Sequence, residues 1–148
     1  MKIDFWQLSG DPVEKVVALI AGRVMASGER LLIVAAEKDQ RAVLSRALWQ
    51  AGPDSFLANG EAGGDAAGRQ PILLSSGNTP DNGASHVIYA DGEWRGAEGF
   101  ERAFLLFDDR NVENARATWR SLDETLAQNE DAERAFYRQD NGKWSKIA

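Results

Sequence analysis

Apolar positions along this chain follow two alternating rhythms. Lys2 to Leu8 places Ile3, Phe5 and Leu8 in a strand-like pattern with Trp6 also apolar, and Ser9-Gly10-Asp11-Pro12 breaks it. Asp11 as cap, Pro12 at the first helical position and Glu14 three residues after the cap predict a helix start. Val13, Val16, Val17, Ile20 and Val24 form its buried stripe, and Gly28 is the expected stop. Leu31 to Ala36 is a nearly continuous apolar run, the mark of a central strand covered on both faces. A second helix follows, capped by Asp39, with Val43, Leu44, Ala47 and Leu48 facing inward until Gly52-Pro53 ends it.

The middle of the chain is less periodic. Asn59 to Arg69 is rich in glycine and alanine and reads as an exposed loop. Pro71 to Ser75 and His86 to Ala90 are two short strands, and Gly92 to Gly99 is another loop. Ala103 to Phe107 is a buried strand closed by Asp108 and Asp109. Asn111 then caps a helix in which Val112, Ala115, Trp119, Leu122 and Leu126 make one apolar stripe. Asn141-Gly142 between two strand-like pieces is a hairpin signal, with Phe136 and Trp144 as its anchors. Strands alternating with helices at these lengths predict an α/β fold. The expectation is a single layered domain over residues 1–148, with a central, mostly parallel sheet flanked by helices and a short C-terminal hairpin.

Composition narrows the function. The 148 residues are 43% hydrophobic and 27% charged, which suits one globular domain. No cysteine is present, so thiolate catalysis and thiolate metal sites are excluded, and a lone histidine, His86, rules out a multi-histidine zinc site within one chain. No metal or cofactor is expected. A net charge of −6 argues against strong direct binding of nucleic acid, which needs positive charge to neutralise phosphates. Neither a leader-like start nor a membrane-length apolar run is evident, so the expected location is cytoplasmic, away from the membrane.

Catalytic motifs do not assemble. There is no phosphate-binding P-loop, the glycines at 60, 63, 64 and 68 do not fit a dinucleotide fingerprint, and no nucleophile elbow occurs. His86 opens an apolar strand, where a structural role is expected. Asp108 and Asp109 follow a strand, where ligand groups often sit, yet they also precede a helix whose dipole they complement. Five tryptophans are many for this length. Trp49, with Phe56 beyond the helix end, either closes the core or forms an exposed partner contact, and Trp94 lies in a polar loop.

Arg116 and Arg120 lie one helical turn apart beside Trp119. Two guanidiniums next to an aromatic ring can seat a carboxylate attached to something apolar. Glu113, Asp123 and Glu124 are within one turn, so an ordinary salt-bridged surface is the other reading.

The order of elements, with Ala47-Leu48-Trp49, Ser55-Phe56-Leu57, RAFLLFDD and NARATWRSLDE, resembles the chi subunit of bacterial DNA polymerase III, and the tail FYRQDNGKW looks like the end of its alphaproteobacterial members. The most specific piece is Ala115-Arg116, then Trp119-Arg120, after the Leu-Phe-Asp strand end. The resemblance implies a non-catalytic subunit that joins the clamp-loader complex to single-stranded-DNA-binding protein by gripping that protein's acidic C-terminal tail. It places the tail-binding arginine at Arg116, the neighbouring aromatic at Trp119 and the following basic residue at Arg120. A basic position one turn earlier in some members is Val112 here; either Arg110 supplies that charge or the affinity is lower. A second surface, toward a psi subunit or another partner, matches Trp49 and Phe56. The family's Pro-His after that phenylalanine is Ala58-Asn59 here, which leaves a psi partner open. Two rival classes remain: a nucleotide-binding α/β enzyme using Asp108 or Asp109, and an interaction domain for another acidic partner.

Overall fold

The computed structural model describes residues 1–51 and 57–148. Its elements run β1 (Lys2–Gln7), α1 (Val13–Ala26), β2 (Leu31–Val34), α2 (Lys38–Trp49), β3 (Asn59–Glu61), β4 (Ile72–Ser75), β5 (His86–Tyr89), β6 (Arg102–Phe107), α3 (Val112–Ser121), α4 (Asp123–Gln128), β7 (Glu133–Asp140) and β8 (Lys143–Lys146), with one 3-10 turn at Ala67–Arg69. The strands form one sheet in the order β3-β4-β2-β5-β6-β1-β7-β8. Every neighbouring pair is parallel except β7 with β8. The α/β class, the mostly parallel sheet and the terminal hairpin are as the sequence predicts.

Both faces of the sheet are covered, which is why its central strands read as unbroken apolar runs. All four residues of β2 are buried. Strand alternation sends Leu31 and Ile33 to one core and Leu32 and Val34 to the other. The first core lies under α1 and α2, through Val16, Val17, Ile20, Val24, Leu44 and Leu48. The second lies under α3, through Ala115 and Leu122, with Val112, Trp119 and Leu126 packed against it. The predicted stripe of the third helix is therefore present, although the helix breaks at Leu122 into α3 and α4.

Local expectations differ from the structure in five places. Asp11 does not cap α1, whose N-cap is Pro12. Its carboxylate instead accepts a hydrogen bond from Gln139 Nε2 at 2.7 Å, tying β7 to the β1–α1 loop. Asp39 lies inside α2, whose N-cap is Glu37, and Asn111 is the N-cap of α3 but its side chain makes no capping bond. Val43 is exposed, because only Leu44 and Leu48 of α2 reach the core. Residues 59–61 form an edge strand on β4 by backbone pairing. The expected stop at Gly28 holds: its N–H reaches Met25 O and the N–H of Glu29 reaches Val24 O, the paired bonds of a Schellman ending, with φ of +81° at Gly28. Gly52, Pro53 and Phe56 lie outside the described residues, and α2 itself ends at Trp49 with Gln50 as its C-cap.

One connection positions the site. β6 and β7 flank β1, both parallel to it, so the intervening α3–α4 segment crosses over β1. Trp119 of α3 consequently packs edge-on against Phe5 of β1, ring centroids 5.2 Å apart.

Candidate functional site

A concave site of about 210 Å³ opens between α3 and the β7–β8 hairpin. Arg116, Trp119 and Arg120 line it from α3, Phe136 and Arg138 from β7, and Ile147 and Ala148 from the segment after β8. The three α3 residues singled out in the sequence are thus brought together. The 3.6-residue period puts Arg116 and Arg120 on one flank, with Trp119 turned toward the core.

Aromatic packing fixes the floor. Phe136 stacks on Phe5 at 6.1 Å and meets Trp119 edge-on at 5.8 Å. Arg134, two residues earlier on β7, lays its guanidinium over the Trp119 ring, 4.2 Å from the centroid. The same side chain donates to the Trp119 carbonyl and pairs with Asp123 at 2.8 Å. Trp119 is clamped between strand and guanidinium, so its exposed edge is a preformed wall rather than a mobile one.

The rim is positive. Arg116 pairs with Glu113 at 3.2 Å, and both side chains are largely solvent-exposed. Such a one-turn pair contributes little, about 0.3–0.5 kcal/mol, and a better-placed carboxylate can displace it. Arg120 and Arg138 form no ion pair among the described residues. An apolar slot of this size beside guanidiniums suits one large side chain carried next to a carboxylate.

Arg110 is not part of this site. It donates to Asp108 at 2.8 Å and lines a different crevice, at the carboxyl ends of β1, β5 and β6. Its hydrogen bonds hold the Asp108 carboxyl below the usual carboxylate range, against a smaller opposing effect of burial. Asp109 accepts from Gln7 at 3.2 Å. That crevice, about 480 Å³, is lined by Asp11, Asp91 and Asp108 with Arg110 as its one basic side chain. A predominantly acidic lining repels phosphate, which counts against the nucleotide-binding alternative.

His86 sits at the opposite end of the sheet, where β2, β5 and β6 begin. Glu29, His86 and Glu101 are the group among the described residues that could hold a metal ion, with ligand atoms within 4.8 Å of one another. Ser85 Oγ already bonds Glu29 at 2.8 Å and His86 Nδ1 at 2.7 Å, which gives the group a structural use without an ion.

Trp49, at the end of α2, is 46% exposed, the largest exposed apolar side chain of the described residues. It does not close the core. Its proposed companion Phe56 lies outside the described residues. Trp94 is structural: it packs on Phe5 at 6.4 Å and on Tyr89 at 5.4 Å.

Sequence reasoning missed Phe136 as a floor residue, Arg134 as the clamp on Trp119, and Arg138 on the rim. A signal was present, since Arg134, Phe136 and Arg138 alternate along β7 and so share a face. That this face lies beside α3 follows only from the pairing of β7 with β1.

Compared with known proteins, residues 1–128 match the family model described as DNA polymerase III chi subunit, HolC. The matched span holds β1 to β6 and α1 to α4 and stops short of β7. No curated protein matches the chain closely enough to count as a relative.

Proposed function

The chain belongs to the DNA polymerase III chi-subunit family, accessory components of a replication complex, and on that premise we propose that it binds the acidic C-terminal tail of single-stranded-DNA-binding protein in the α3–β7 pocket. The observation that carries this reading is the convergence of Arg116, Trp119 and Arg120 with Phe136 around one apolar slot. The last side chain of the tail fills the slot against Trp119 and Phe136. Arg116 exchanges Glu113 for the terminal carboxylate, and Arg120 attracts the preceding acidic residues. The protein performs no chemistry of its own in this reading; it tethers. The contact with the clamp-loader complex, direct or through a psi subunit, is assigned to the surface around Trp49, where an exposed indole is the kind of anchor that interfaces use.

Calorimetry on wild type and Arg116→Ala, each with free-acid and C-terminally amidated forms of an acidic peptide ending in Pro-Phe, tests the pocket. Arg116→Ala weakens the free-acid peptide by about 1.5–3 kcal/mol, the range for hydrogen bonds to charged groups. Amidation costs wild type a comparable amount and the variant little, so the two losses are coupled. Equal losses on amidation in both proteins would mean that Arg116 does not read the carboxylate.

A further inference from the structure

We infer that Arg138 is a third cation of this pocket, reaching from the β7 side to pair with an acidic side chain of the bound peptide upstream of its terminal carboxylate. The inference rests on the reading of the pocket as a peptide-tail site. Alternation along β7 places Arg134, Phe136 and Arg138 on the face that meets α3. Arg134 is consumed by Trp119 and Asp123, and Phe136 is floor. Arg138 lines the pocket but is otherwise little engaged. Its Nε donates to Gln7 Oε1 at 3.4 Å, while the amide nitrogen of Gln7 donates to Asp109 at 3.2 Å. This short chain orients the guanidinium by its inner nitrogen and leaves both outer nitrogens without a partner among the described residues, which is the fork that a carboxylate accepts.

The neighbours agree with that use. Ser145, opposite Arg138 on β8, is small and uncharged, so it neither neutralises nor covers the guanidinium. Arg110 is held by Asp108 in another crevice and brings no charge to this pocket. Arg138 also lies beyond the residues that the family model matches, so family membership does not by itself assign it.

The test uses the full chain, an acidic peptide ending in Pro-Phe, and the same peptide with its aspartates changed to asparagine. Arg138→Ala weakens the acidic peptide about three- to tenfold, Arg138→Lys recovers most of the loss, and Arg138→Glu binds more weakly than Arg138→Ala. These differences shrink with the asparagine peptide and at high salt, which a purely structural role for Arg138 would not produce. Wild-type affinity in Arg138→Ala while Arg116→Ala is impaired would overturn the role of Arg138 and leave the tail site standing. Equal losses for the acidic and asparagine peptides would overturn it as well, by showing that no side-chain charge is read. Failure of the wild-type chain to bind the acidic peptide would overturn both readings.

Discussion

Trp119 owes its place to its neighbours rather than to its helix alone. Phe5 supports one edge, Phe136 another, and the Arg134 guanidinium covers a face. Single side chains with less visible partners carry testable electrostatics too. Burial pushes the His86 imidazole below its ordinary 6.5, Arg102 adds to the effect, and the carboxylates of Glu29 and Glu101 oppose it without prevailing. The unfolded chain therefore takes up this proton at a higher pH than the folded one. By linkage the stability tied to His86 is complete above 6.5 and is lost progressively as pH falls through 6.5 toward the folded value. As the protein has one histidine, a single imidazole resonance reports it directly. Its titration midpoint is expected below 6.5, with weaker stability in urea on the acid side of that value; a midpoint above 6.5 would contradict the assignment.

At the scale of elements, the hairpin decides whether the pocket has a second wall. Asn141 and Gly142 both have positive φ, 51° and 77°, the type I′ geometry whose twist suits two antiparallel strands. A branched residue at the second position would be strained, so Gly142→Val is expected to cost about 1–2 kcal/mol in a denaturation experiment. It should also weaken peptide binding, because Phe136 and Arg138 ride on β7; an unchanged melting temperature would refute the turn assignment. The hairpin illustrates what was legible in the sequence. Asn-Gly and the flanking aromatics announced it, and Phe136 and Trp144 do anchor it, on opposite faces of the sheet. Periods of two and 3.6 likewise placed most strands and all the long helices. What stayed hidden depends on partners remote in sequence. Asn59–Glu61 joins the sheet through backbone pairing with β4, which leaves no side-chain pattern. The pairing of β7 with β1, from opposite ends of the chain, brings Arg138 to the site, and no local signal encodes that.

At the scale of the whole molecule, the proposed function requires two contact surfaces on one domain. Trp49 belongs to the surface proposed for the clamp loader. Being 46% exposed, it can be changed to Ala with stability altered by less than about 0.5 kcal/mol, while association with the clamp-loader complex weakens. A stability loss of about 3 kcal/mol or more would make it a core residue and remove it from the interface. The other proposed surface is the pocket between α3 and β7, which the peptide must occupy if the tail-binding reading holds. Titrating isotope-labelled protein with an acidic peptide ending in Pro-Phe, while following backbone and indole resonances, tests it most directly. The largest shifts are expected at Arg116, Trp119 and Arg120 and, across the groove, at Phe136, Arg138 and Ile147. Shifts confined to the α1–α2 face, or none at saturating peptide, would contradict the account.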